Sequence, residues 1–265
     1  MLMTRDDDRL WTDRSRLRES QYRTDANLAA RQSLYRWQHP RLDLPKLVLD
    51  LAAPRGSEAV ADIGCGNGAY LAELGRRGHA GPVLGIDLSA GMLHAARSRA
   101  PAAILAAGDA AGLPLRDEVS DLTLAMHMLY HLPRPPAAVR ELRRITRPGG
   151  QVLVVLNGQD HLRELRDLIT IALGSSTGRP PPGRERLRLD EGEDLLASEF
   201  TSVTRHEFTS ELVDPEPGPV EAYVRSMPIA QDLPDPGEFA AAVASLIPGS
   251  GTFRIRTHTG CLVCY

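Results

Sequence analysis

From about residue 44 the chain alternates short apolar runs with longer stretches whose apolar positions recur at helical spacing. Leu44, Leu47, Val48 and Leu51 stand at i, i+3, i+4 and i+7, which predicts a helix that Pro54 stops. Ala59–Ile63 reads as a strand and Ala69–Arg77 as a helix closed by Gly78. Val83–Ile86 is a strand ending at Asp87, and Ser89 can N-cap a helix from Ala90 to Arg99, with Pro101 behind it. Ala103–Ala106 and Leu122–Met126 read as strands, Pro136–Ile145 as a helix, Pro148-Gly149-Gly150 as a turn and Gln151–Leu156 as a buried strand. Strands alternating with helices at this spacing predict an α/β fold, a parallel sheet covered on both faces.

Outside that region the pattern weakens. Residues 1–40 are polar, rich in Arg and Asp, and interleaved with Trp11, Tyr22, Tyr35 and Trp37; they suit either a loosely packed helical lead-in or a cap over a site. After Asn157 the expectations are a helix over His161–Ile171, a breaker-rich loop over Gly174–Arg184 and a strand over Phe200–Leu212. Two short helices, Val220–Arg225 and Phe239–Leu246, and a final strand, Thr252–Cys264, follow. An antiparallel pair with helices inserted between its members fits this order. The domain reading is a cap at 1–44, a core at 45–212 and 252–265, and a helical insertion at 213–251 that covers the acceptor.

With 265 residues, 42% of them hydrophobic, the chain can bury one large core. A formal net charge of −3 argues against a nucleic-acid partner held by phosphate neutralisation. Lys46 is the single lysine among 31 basic residues, a bias expected of a GC-rich bacterial genome. No stretch of eighteen apolar residues exists and the first residues lack the apolar core of a signal peptide, so the expected localisation is cytoplasmic, with no membrane partner. Cys261 and Cys264, three apart in a strand, point to opposite faces, and no metal site is expected.

The chemistry begins at VADIGCGNGAY (60–70), where glycines cluster between a strand and a helix. Gly64-x-Gly66-x-x-Ala69 also satisfies the loose dinucleotide pattern. Asp62 argues against a pyrophosphate there, because two like charges about 4 Å apart repel by roughly 1 kcal/mol in water and more where water is excluded. An ammonium group is attracted instead, and S-adenosylmethionine carries one, together with a carboxylate that suits the start of the next helix. Asp87 ends the second strand where ribose hydroxyls are received, and Asp109 could take an adenine amino group.

These stretches resemble the class I S-adenosylmethionine-dependent methyltransferases, in particular the small-molecule enzymes of the ubiquinone/menaquinone-biosynthesis type. VADIGCGNG (60–68), GIDLSAGML (85–93), GDAAGLPLRDEVSDLTLAMHMLYHL (108–132) and ELRRITRPGGQVLVV (141–155) match that family's motifs in order. The resemblance implies a Rossmann-like, doubly wound, seven-stranded sheet with strand seven antiparallel. It implies S-adenosyl-L-methionine as cofactor, S-adenosyl-L-homocysteine as product, and cofactor contacts at Asp62, Gly64, Cys65, Gly66, Asp87, Leu88, Asp109, Ala110, Met126 and His127.

Methyl transfer needs alignment and exclusion of water, and a base only where the acceptor must lose a proton. The candidate bases are His127 and His131; the same histidines suit turn packing equally well. Tyr35, Trp37, Tyr130, Asn157, His161 and Arg225 are the candidate acceptor contacts. The expected partner is a small-molecule acceptor, methylated on oxygen or nitrogen rather than carbon, and the expected assembly a monomer or homodimer. A tRNA or protein methyltransferase, an NAD-dependent oxidoreductase and a non-catalytic S-adenosylmethionine-binding protein are the rival readings.

Overall fold

The computed structural model describes residues 11–177, 187–231, 233, 235–247 and 252–265. Its elements in chain order are α1 (Ala26–Ser33), β1 (Gln38–His39), α2 (Leu44–Ala52), β2 (Val60–Ile63), α3 (Ala69–Arg76), β3 (Val83–Asp87), α4 (Ala90–Arg99) and β4 (Ile104–Ala107). There follow β5 (Ser120–Met126), α5 (Pro135–Ile145), β6 (Thr146–Asn157), α6 (Arg163–Thr177), α7 (Leu189–Ala197), β7 (Val203–Val213), α8 (Pro217–Arg225), α9 (Pro228–Gln231), α10 (Pro236–Ser245) and β8 (Arg254–Cys264). A helical turn, Arg14–Arg16, running into Leu17–Gln21, precedes α1.

All eight strands form one sheet in the order β1-β7-β8-β6-β5-β2-β3-β4. β2 through β6 pair in parallel, and β8 inserts antiparallel between β6 and β7. The expected seven strands are thus joined by an eighth, β1, two residues long, where Gln38 and His39 pair antiparallel with Leu212 and Glu211. Nothing in the polar stretch around Gln38 marks a strand; the long β7 edge recruits it, giving exposed backbone groups a partner.

Side-chain alternation along β6 shows why both faces are covered. Val152, Val154 and Leu156 pack with α5 and α7 residues such as Val139, Leu142 and Leu196. Leu153 and Val155 face the opposite way, onto Val48, Leu49, Tyr70 and Leu74 of α2 and α3. Within α2 the buried residues are Val48, Leu49 and Ala52, and Ala53 ends the helix in the left-handed region one residue before Pro54. A third cluster lies beyond the parallel strands, where α6, α8 and α10 pack Ile169, Val224 and Val243 with Leu34, Leu212 and Ile255. This cluster joins the lead-in to the extended β7–β8 hairpin.

Other boundaries moved more. α7 was not anticipated, and Gly174–Thr177 extends α6 rather than opening a loop; the remainder of the expected loop, 178–184, lies outside the described residues. The Pro148-Gly149-Gly150 turn is absorbed as an irregularity in the β5–β6 pairing, which shifts register between Ser120 and Leu122. Cys261 and Cys264 are both buried, one in each of the two clusters that sandwich the sheet.

Candidate active site

At the carboxyl ends of β2, β3, β5 and β6 lies a cavity of about 570 Å³, within the ordinary size of a small-molecule site. Open α/β sheets place ligands at such strand ends because the chain turns from strand to helix there.

The glycine loop forms one end. Gly64 has φ 72°, and a Cβ on it would stand 2.8 Å from the Cβ of Met128, so neither the backbone nor the space admits another residue. Gly66, at φ 53°, has only Leu28 within 4 Å of such a Cβ, so the loop is open toward the cavity there. Its N–H donates to the Asp87 carboxylate at 2.8 Å, and Ser89 N–H donates to the other carboxylate oxygen at 2.8 Å. Burial raises the Asp87 pKa in spite of these bonds. Gly68, the N-cap of α3, brings no side chain to the helix start, so the first N–H groups of α3 stay available to an anion.

Asp62 lies beneath this loop, fully buried, and neither of its carboxylate oxygens has a hydrogen-bond partner. Burial, with Asp87 nearby, pushes its pKa up to about 8. An orphaned buried carboxyl is costly unless a donor arrives, and a ligand ammonium is such a donor. Asp62 does not itself line the cavity wall, however. Cys65 departs further from expectation: its side chain packs with Leu71, Ala100 and Ala103, and its N–H is taken by the Ile86 carbonyl at 3.0 Å. A buried thiol behind the loop with its amide already used has nothing to offer a cofactor.

Gly64, Gly66, Asp87 and Leu88 line the cavity, as do Asp109, Ala110, Met126 and His127. His127 is a non-glycine residue at φ 55°, a strained conformation at the point where β5 ends. No described residue hydrogen-bonds its ring, and burial pushes its pKa down to about 4, so the ring is neutral at pH 7.

His131 has a different job. The Tyr22 hydroxyl accepts from Arg31 at 3.1 Å and lies 3.0 Å from His131 Nε2, while Nδ1 lies 3.2 Å from the Trp11 carbonyl. A carbonyl only accepts, so Nδ1 carries the proton and Nε2 receives the Tyr22 hydrogen. With both ring nitrogens occupied, His131 clips the lead-in to the site and is not free to act as a base. The same segment is tied down by Arg14, 2.6 Å from Asp109, and by the Ser89 hydroxyl, which donates to the Tyr22 carbonyl at 2.5 Å. Tyr22 is among the lead-in aromatics that suggest a cap, though not among the candidate site residues, and nothing in the sequence marks Arg14.

Among the acceptor candidates, Tyr35, Tyr130, Asn157 and His161 line the cavity, joined by Phe208 and Tyr223, which sequence reasoning missed. Trp37 packs into the helical cluster and Arg225, about half exposed, faces Glu221 at 3.8 Å; neither reaches the cavity. Helical phase turns Arg225 outward, whereas its neighbour two positions earlier, Tyr223, turns inward.

A doubly wound sheet with a glycine loop and acids at successive strand ends is the architecture of a nucleotide-binding α/β protein. Residues 61–154 match the methyltransferase domain family. An uncharacterized methyltransferase of Mycobacterium tuberculosis is 30% identical over 190 residues, spanning 70% of this chain and 71% of the relative. Demethylmenaquinone methyltransferase of Corynebacterium kroppenstedtii is 37% identical over 101 residues, 38% of this chain and 42% of that one. The YcgJ protein of Bacillus subtilis shares the fold with a TM-score of 0.58 at 15% identity, over 83% of this chain and 96% of its own. The chain belongs to the class I S-adenosylmethionine-dependent methyltransferases.

Proposed function

We propose that the glycine-loop end of the cavity holds S-adenosylmethionine, and that the opposite end, beneath α8 and the β7–β8 hairpin, holds a small organic acceptor methylated on oxygen or nitrogen. The orphaned Asp62 carboxyl beneath an open, uncapped loop carries the cofactor reading: the site lacks a cationic partner on one side and an anionic one at the α3 start. Asp87 would hold the ribose and Asp109 the adenine edge. The bound cofactor supplies a methyl group on a sulfonium leaving group. The chain's own residues align the acceptor and exclude water. His127, the neutral ring with no partner, is the group placed to take an acceptor's proton.

Residues 11–44 and 213–247 act in this reading as covers over the cofactor and acceptor ends. A place in bacterial secondary metabolism rests on the arginine-for-lysine bias alone. The test is parallel isothermal titration of the chain with S-adenosylmethionine, S-adenosylhomocysteine and NADH. The first two are expected to bind and NADH is not. Asp87→Ala should weaken S-adenosylhomocysteine at least about tenfold, about 1.4 kcal/mol, through lost charge-assisted hydrogen bonds. Wild-type affinity in that variant would remove Asp87 from the ribose site, and NADH binding alone would replace the whole reading.

A further inference from the structure

His161 Nδ1 lies 3.1 Å from the backbone N–H of His258, which can only donate, so Nδ1 presents a lone pair. The neutral ring then carries its hydrogen on Nε2, 3.0 Å from the Tyr35 hydroxyl. Tyr35 therefore accepts from His161, and its own O–H hydrogen must point elsewhere. Among the described residues nothing receives it, and both side chains line the cavity. Burial supports this protonation pattern, pushing the His161 pKa down to about 3, with His127, Arg166 and His258 also bearing on it, and raising that of the Tyr35 phenol.

Asn157 beside it has the same polarity. Its Oδ1 accepts from the Thr259 hydroxyl at 3.4 Å, and its Nδ2 amide has no partner among the described residues. Arg41, exposed at the cavity mouth, makes no hydrogen bond or ion pair with any described residue. The cavity wall thus carries Asp87 and Asp109 at the cofactor end, with Asp62 buried behind it, and leaves the donors of Tyr35 and Asn157 without acceptors at the other end. A buried donor without an acceptor costs free energy until a ligand supplies one.

We propose that the methyl acceptor carries a carboxylate, received by the Tyr35 O–H and the Asn157 amide, with Arg41 drawing it in and His161 acting as the positioning residue that aims the Tyr35 hydroxyl. A charged oxygen is favoured over a neutral carbonyl because it strengthens both hydrogen bonds and pairs with the free guanidinium. This rests on the acceptor end assigned above.

Two measurements on the full chain saturated with S-adenosylhomocysteine test it. Long-range ¹H–¹⁵N NMR reads the His161 tautomer without any acceptor. The expected result is Nε2–H, unchanged between about pH 5 and pH 8. Titration with 4-hydroxybenzoate and with 4-hydroxybenzyl alcohol reads the selectivity; the carboxylate is expected to bind at least about tenfold tighter, a difference of about 1.4 kcal/mol. Tyr35→Phe should cut that preference severalfold, costing the carboxylate more than the alcohol, and His161→Gln should shrink it. A merely structural role would weaken both probes alike. An Nδ1–H tautomer, a His161 that titrates near the ordinary histidine value, a carboxylate bound no tighter than the alcohol, binding of neither probe, or a preference undiminished in Tyr35→Phe would each overturn the proposal. Failure of S-adenosylhomocysteine to bind would instead strike the cofactor reading, and the His161 tautomer would still be readable in the free chain.

Discussion

At the scale of single residues, Asp62 sets stability against binding. Its carboxyl is fully buried with no partner, and its pKa stands at about 8 against an ordinary 3.8. Below about pH 4 the group is protonated in both folded and unfolded chains and favours neither. Between about pH 4 and 8 the unfolded chain gives up a proton that the folded chain keeps, so folding loses stability as pH rises through that window and levels off above it. Asp62→Asn removes the titration at nearly constant volume. The expected outcome is a melting temperature that exceeds wild type by more at about pH 8 than at about pH 5, with weaker S-adenosylmethionine binding. An equal offset at both pH values would show that Asp62 ionises normally in the folded chain.

The elements that build the glycine-loop end of the cavity were legible because each is local. Val60–Ile63, Val83–Asp87 and Ala90–Arg99 lie within a residue of where periodicity, the terminal acid and the Ser89 cap put them. What escaped was whatever depends on a partner far along the chain. β1 exists only against β7, and Tyr22 and Arg14 matter only because the lead-in crosses His131 and Asp109. Arg225 and Tyr223 show the same limit in a helix: which face of α8 turns inward is decided by Val220 and Val224 packing into the helical cluster.

The lead-in segment yields a prediction at this scale. Arg14 and Asp109 are partly exposed, so their pair is worth at most about 1 kcal/mol, roughly fivefold in a rate. If the cofactor enters past this segment, Arg14→Ala should speed S-adenosylhomocysteine association by up to about that factor in stopped flow. An unchanged association rate would mean that the cofactor enters without breaking this tie.

Over the whole molecule, the cavity lies where separate hydrophobic clusters meet. The sheet core contributes the glycine loop and His127; the helical cluster, built from α6, α8, α10 and Leu34, carries Tyr35 and Tyr223 at its margin; the lead-in spans the two through Arg31, whose guanidinium donates to the Ser226 carbonyl at 2.7 Å and to Tyr22. A ligand that touches all of them stabilises by mass action, about 2.7 kcal/mol at a hundredfold excess over its Kd. For a chain of this size that corresponds to roughly 5–10 °C in Tm. The distribution of that stabilisation is the sharper observable. Hydrogen exchange with S-adenosylhomocysteine bound should slow in the glycine loop, in 87–110 and across 11–35, because the lead-in can open only by breaking contacts over the occupied site. The solvent-facing side of α5, a helix that contributes no residue to the cavity lining, should change little. Slowing confined to the glycine loop and 87–110 would make the lead-in a fixed wall whose ties to His131 and Asp109 belong to the fold rather than to cofactor capture.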